Sequence, residues 1–439
     1  MGKSNKRAAI IKGTLILTVT GVLNRAIGFF YRIFLSGQIG AEGMGIYQLI
    51  FPVISICHAL TIGGFGIAIS KLCAEKEAVK DHQGSLRVLL GGLCLTVGLS
   101  IVVGTFLLLW APWIAAYIYH EDQLTLLFQI VSFSLPFSAI HACVNGYYYG
   151  KKQTGIPALS QLLEQVVRVG SCMVIAQILI SKGMNVDISI AVISMVCGEI
   201  ISVLFCLTVL CWKRIPQGIP FGSLHIIPLL KLSFPLSCNH LALHILQSVE
   251  ALLLPTMLIS SGLIRSEALS IYGILTGMSL PFLLFPATIT NAIATLLLPA
   301  ISEAKVTNNT KLLHNLIART FMLSVAFGSF LTLFFFVFGP FCGNFFFHNQ
   351  LAGSFIRTLS FLCPFLCLVT TLESILNGLG KTFASFLHNL AGLLLRILFV
   401  VFAIPSFGIT GYLWGILACE IVISILHSLS LLRSRQKYT

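Results

Sequence analysis

Twelve runs of about twenty or more mostly apolar residues, each closed by lysine, arginine, glycine or proline, constrain this chain more than any other feature. The runs lie near residues 10–35, 44–70, 88–115, 124–149, 156–181, 187–212, 229–258, 269–299, 315–340, 353–378, 383–404 and 408–431. Such a pattern fits an all-α integral membrane protein, because a spanning helix satisfies its backbone hydrogen bonds internally where no water can. Composition supports the same class: only 9% of residues are charged, against roughly 25% in a soluble domain.

The net charge of +13 would point to nucleic acid in a soluble protein. Here the basic residues fall in the short gaps, and they fall unevenly. With the N-terminus inside, the cytoplasmic gaps hold Lys3, Lys6, Arg7, Lys12, Lys71, Lys76, Lys80, Arg87, Lys151, Lys152, Lys213, Arg214, Lys231, Lys305, Lys311, Arg319, Lys381, Arg433, Arg435 and Lys437. The outer gaps hold Lys182, Arg265 and Arg357. The positive-inside rule then places both termini in the cytoplasm. The first apolar run is too long for a cleaved signal peptide and reads as the first span. No hydrophilic gap exceeds roughly twenty residues, so any activity resides among the helices.

The thirteen cysteines lie mostly in apolar runs (Cys94, Cys172, Cys206, Cys238 and Cys419 among them), where free cysteine behaves as a small hydrophobe. Cys363 and Cys367 share a helix face, but no Cys/His spacing makes a zinc site. No metal or cofactor is expected.

Internal similarity divides the chain into six-span halves, residues 1–222 and 223–439. Ile11-Ile-Lys-Gly-Thr-Leu overlies Leu230-Lys-Leu-Ser-Phe-Pro, and Gly45-Ile-Tyr-Gln-Leu-Ile recurs as Ser270-Ile-Tyr-Gly-Ile-Leu. Asn145-Gly to Gly150-Lys, ahead of a helix with Arg168, recurs as Asn377-Gly-Leu-Gly-Lys ahead of one with Arg396. An even number of spans gives both halves one orientation, related by a pseudo-two-fold axis along the membrane normal.

Ionisable residues at membrane depth are candidate functional groups. The first span carries Asn24, Arg25 and, seven residues on, Arg32. Its counterpart, the seventh, carries Asn239, His240, His244, Gln247 and Glu250, and the second span adds His58. Arg25, Arg32, Asn24, His58, Asn239, His244, Gln247 and Glu250 are therefore the expected substrate-binding residues. Guanidinium groups stay charged in a low dielectric and grip phosphate bidentately, so the substrate is expected to be anionic. Against this stand Arg32 snorkelling to the interface and Arg25 pairing with Glu250. Glu164 and Arg168, at i,i+4, read as a structural ion pair. Glu199, Glu373, Glu420 and Arg396 read as interhelical partners. Mid-span prolines such as Pro52, Pro136, Pro281, Pro286 and Pro364 are expected to kink helices around a cavity.

Lys12-Gly-Thr-Leu-Ile-Leu, Gly28-Phe to Arg32, Ile39-Gly-Ala-Glu-Gly-Met-Gly-Ile-Tyr, Ala68-Ile-Ser-Lys-Leu, Leu163-Glu-Gln-Val-Val-Arg, Leu298-Pro-Ala-Ile-Ser-Glu and Asn377-Gly-Leu-Gly-Lys occur in this order along the chain. In this the chain resembles the stage V sporulation protein B and polysaccharide-biosynthesis branch of the multidrug, oligosaccharidyl-lipid and polysaccharide exporter superfamily. The resemblance implies two six-helix lobes and a polyprenyl-pyrophosphate-linked sugar turned from the cytoplasmic to the outer leaflet. It further implies a role in spore cortex or cell-wall synthesis. Related lipid II flippases use arginines on the first helix, in the stretch of Arg25 and Arg32. They have fourteen helices and an arginine on the second, where this chain has about twelve and His58.

A flippase for a lipid-linked oligosaccharide or peptidoglycan precursor is thus the leading expectation. Its partners would be the anionic sugar lipid, membrane lipids and cell-wall synthesis proteins, with no nucleic acid, and the transporter itself would be a monomer. A proton- or cation-coupled multidrug antiporter of the same fold is the alternative; it would need an unpaired cavity carboxylate, for which Glu250 is the candidate. A membrane enzyme would want acidic or histidine pairs in a large outer loop, and the outer gaps hold little beyond His120-Glu-Asp and Arg265-Ser-Glu.

Overall fold

The computed structural model describes residues 3–212, 224–307 and 310–435. Lys213, Arg214, Lys437 and the 222/223 boundary lie outside the described residues. Sixteen helices follow one another: α1 (Lys3–Gln48), α2 (Ile50–Thr61), α3 (Phe65–Ala78), α4 (His82–Trp113), α5 (Leu124–Gly150), α6 (Gly155–Ser181), α7 (Ser189–Trp212), α8 (Ile226–Ser260), α9 (Arg265–Gly273), α10 (Leu280–Leu284), α11 (Thr288–Val306), α12 (Thr310–Phe347), α13 (Gln350–Leu359), α14 (Cys363–Gly378), α15 (Thr382–Phe407) and α16 (Ile409–Arg435). No strand occurs among the described residues. Eleven stretches built from α2–α16 are long and apolar enough to cross a membrane, and α1 is a further 46-residue helix bent at Gly40.

Several spans are broken where the sequence places glycine or proline. The second span parts at Ile62–Gly64 into α2 and α3. The eighth loosens into a π-helical turn at Ile274–Ser279, ahead of Pro281, and breaks around Pro286. The tenth passes through a 3-10 turn at Ser360–Leu362 before Pro364 opens α14. Proline supplies no N–H and crowds the preceding turn, so these are the points at which i,i+4 bonding fails. Asp81 opens α4 as a side-chain cap, its Oδ1 accepting from the Gly84 N–H at 2.8 Å, and that bond holds its carboxyl below the usual range.

By their contacts the helices form two units. Unit 1 contains residues 1–31 and 49–248; unit 2 contains residues 32–48 and 249–439. Within unit 1, α4 packs on α5 and α6 on α7; within unit 2, α12 packs on α14 and α15 on α16.

The turn after the fourth span and the turn after the tenth have the same hydrogen bonds. In the first, Lys151, Lys152 and Gln153 donate to the carbonyls of Tyr147, Tyr149 and Tyr148; in the second, Leu379, Gly380 and Lys381 donate to those of Ile375, Asn377 and Leu376. The left-handed residue is Lys152 in one and Gly380 in the other. This pairs Tyr149 with Asn377, so overlaying Asn145-Gly on Asn377-Gly, as identity invites, is one helical turn out of step. Identity follows side chains, whereas the turn follows the backbone.

The two Ile-Tyr motifs meet inside unit 2. Gly45 backs directly onto the Leu269 carbonyl, and Gly273 onto the Ala41 carbonyl and the Gly45 amide. A Cβ at either glycine would overlap backbone that cannot swing aside. Gly273→Val should therefore destabilise the protein by about 1–3 kcal/mol or more, the scale of overpacking, read as an earlier thermal transition in detergent. A transition within one degree of wild type would refute the close packing of α1 on α9.

Candidate functional site: an acid–imidazole triad in a unit 1 cavity

Unit 1 encloses a cavity of about 810 Å³ between α2, α3, α5, α6 and α7. Lys71 and Lys152 line it at the end near the 151–154 turn; His58, His141, Glu164 and Glu199 line it deeper in. The depth follows from chain geometry. His141 lies ten residues before Lys151, and Glu164 ten residues after Thr154. At 1.5 Å per residue the α5–α6 hairpin brings both about 15 Å in, near the middle of a hydrocarbon core about 30 Å thick.

His141 Nδ1 stands 3.4 Å from Glu199 Oε2 and 3.7 Å from Glu164 Oε2. Its Nε2 faces the hydroxyls of Ser202 (2.8 Å) and Ser160 (3.0 Å). Ser160 can donate to Asn145 or to the Pro157 carbonyl, and Ser202 to the Ser160 carbonyl. Nε2 accepts from one of these hydroxyls or donates to one, according to which ring nitrogen carries the hydrogen. Nδ1 faces two carboxylates, which favours a hydrogen on that nitrogen. Glu164 is further neutralised by Arg168, whereas Glu199 Oε2 makes no hydrogen bond of good geometry. One ligand atom from each of His141, Glu164 and Glu199 falls within 4.8 Å of the others. Three potential ligand atoms at this spacing are close enough to share one small cation or a proton.

Among the expected site residues, His58 reaches this cavity and sits within electrostatic range of Glu199 and His244. His244 Nδ1 is 3.0 Å from Gln247 Oε1, and its ring stacks on His240. Asn239 and Arg25 are exposed in unit 1. Asn24 is half-buried with its Oδ1 unpartnered. Arg32 is half-buried and belongs to unit 2, as does Glu250.

Glu250 is engaged on both oxygens. Arg396 Nη2 donates to Oε2 at 2.6 Å and the Tyr412 hydroxyl to Oε1 at 2.6 Å. Arg396 Nε lies 2.5 Å from Oε1, at an angle too bent to donate. The antiporter's candidate carboxylate is therefore spoken for within unit 2, and the carboxylates that line the unit 1 cavity are Glu164 and Glu199.

The two units carry related chemistry. Arg168 follows Gln153 by fifteen residues, and Arg396 follows Lys381 by fifteen. Four residues before each arginine a carbonyl meets a small residue of the next helix: that of Glu164 packs so close to Gly198 that a Cβ there would lie 2.7 Å from it, and that of Gly392 accepts from the Cys419 thiol at 3.1 Å. The residue after each contact is glutamate, Glu199 in one unit and Glu420 in the other, and both have an Oε2 with no hydrogen-bond partner.

The residues 10–305 match the sequence profile described as polysaccharide biosynthesis protein, and residues 244–402 match that described as MatE. The chain belongs to the polysaccharide biosynthesis protein family. It is 28% identical to stage V sporulation protein B of Bacillus subtilis (strain 168), over 96% of this chain and 83% of that protein. It is 24% identical to the lipid II flippase MurJ of the same organism, over 71% of this chain and 61% of that one. Its fold matches the inward-facing structure of a multidrug resistance MATE family transporter of the MOP superfamily, with a TM-score of 0.72 at 16% identity over 94% and 95% of the two chains. This family member is a multi-pass membrane transporter with the twelve-helix architecture expected from its sequence.

Proposed function

We propose that this transporter turns an anionic sugar lipid, a polyprenyl-pyrophosphate oligosaccharide or peptidoglycan precursor, from the cytoplasmic to the outer leaflet of a bacterial inner membrane by alternating access. Both termini are cytoplasmic in this reading, following the basic residues of the gaps. Its setting is spore or cell-wall synthesis, in keeping with the sporulation protein and the lipid II flippase it resembles. The observation that carries it is the unit 1 cavity, with two lysines towards one end and a chargeable triad deeper in. The lysines and Arg25 supply fixed positive charge for a diphosphate, and the triad supplies a group whose charge changes through a transport cycle.

Arg25→Ala should lower flipping of a fluorescent polyprenyl-pyrophosphate sugar in proteoliposomes by tenfold or more, since a hydrogen bond to a charged group contributes about 1.5–3 kcal/mol. A folded variant that flips at the wild-type rate would remove Arg25 from the substrate site.

The triad favours a second reading, a proton- or cation-coupled antiporter of organic cations, because two carboxylates facing one imidazole in a cavity are what such a cycle needs. Drug-efflux assays in a sensitised host separate the two: efflux without sugar-lipid flipping supports the antiporter.

A further inference from the structure

Unit 2 has a second, larger cavity of about 1120 Å³ between the first half of α12, the end of α14 and the last turns of α16. Its polarity is graded. Thr310, Lys311, His314 and Asn315 line it at the start of α12, while Ala318, Met322 and Val325 line it farther along the same helix. Leu372 and Leu379 of α14 and Leu431 of α16 supply apolar walls. From Thr310 to Ala326 the lining stretch of α12 rises about 24 Å, more than one leaflet's share of a hydrocarbon core about 30 Å thick.

Among the described residues no carboxylate lines the groove. Lys311 and His314 are both exposed, and neither has an acidic partner among the described residues. They stand in the first turns of a 38-residue helix, where unsatisfied N–H groups add positive potential. A ligand with one anionic head and a long apolar tail meets every part of this surface, and a purely apolar or purely anionic one meets only part. At over 1,000 Å³ the space also exceeds what a drug-sized molecule fills.

We propose that this groove is a resident site for an anionic glycerophospholipid, its phosphate against Lys311 and His314 and an acyl chain along Ala318, Met322 and Val325. Where the basic gaps face the cytoplasm, the lipid comes from the inner leaflet, whose anionic headgroups are drawn to basic pockets between helices. The binding itself does not depend on the cargo proposed above.

The test is native mass spectrometry of the full-length protein in neutral detergent with added phosphatidylglycerol or phosphatidylcholine. Phosphatidylglycerol should bind at least tenfold more tightly and raise the melting temperature. The double variant Lys311→Glu, His314→Glu should lose that preference, and Ala318→Trp, which fills the groove without altering charge, should lower occupancy by either lipid. Equal binding of the two lipids by the wild type would overturn the proposal, and this comparison needs no variant to fold. Retention of phosphatidylglycerol by both folded variants would overturn it too. One-for-one displacement by undecaprenyl phosphate would assign the groove to the carried lipid and reject the phospholipid.

Discussion

Arg396→Ala is expected to destabilise the protein by about 3–5 kcal/mol, the cost of leaving one charge of a buried pair without its partner. Glu250 is 4% exposed, and Arg396 approaches both of its oxygens. Only the Tyr412 hydroxyl would remain, and one hydroxyl cannot replace the solvation a carboxylate loses at that depth. Glu250→Ala should cost a similar amount by exposing the converse charge. Replacing both by methionine should cost much less than the two single changes together, because the desolvation penalty disappears with the charges. Thermal unfolding in detergent across this four-member cycle gives the coupling directly. Were the double variant as unstable as the sum of the singles, Glu250 and Arg396 would be energetically independent, and no buried ion pair would tie α8 to α15 in unit 2.

Glu199→Gln is expected to reduce gradient-driven transport on the order of a hundredfold while leaving the fold intact, comparable to removing a positioned proton carrier. Glutamine keeps the shape and can accept one hydrogen bond from His141, but it cannot carry the changing charge that Nδ1 and Glu164 bracket. Glu199→Asp should recover part of the activity. The comparison with Glu420→Gln is instructive, since Glu420 holds the matching position in unit 2 without the imidazole: the position of His141 is filled by Val369 there, on the pairing fixed by the two turns. Transport measured against imposed pH and sodium gradients distinguishes a proton from a metal cation. If Glu199→Gln transports normally and keeps its gradient dependence, the triad has no part in coupling.

The membrane class and the succession of spans are legible in the sequence because they follow from quantities that add along the chain: apolar length, sparse charge and turn residues. Breaks at Gly63–Gly64 and Pro286 are legible for the same local reason. The triad is harder to assemble, although a clue to it is present. Helical spacing pairs Glu164 with Arg168, which is correct on one helix but blind to the next, and it leaves Glu199 as one interhelical partner among several. Nothing local singles out His141. Counting ten residues outward from each side of the 151–154 turn puts His141 and Glu164 at one depth, and that count is the signal for the site. Tyr412, as the second partner of Glu250, has no local signal, for it lies 162 residues away. The Asn-Gly match is one turn out of step with the two hydrogen-bonded turns, because two identical letters outweigh the backbone pattern that follows them.

The division of α1 and α8 between the units has a practical consequence for dissecting the protein. Residues 32–48 are packed in unit 2 and residues 226–248 in unit 1. A cut between residues 212 and 224 therefore yields two fragments that each lack a piece of their own packing and carry a piece of the other's. Expressed singly, such fragments should be degraded. Expressed together they should reassemble by trading these segments, which makes this cut a natural place for a split-reporter design.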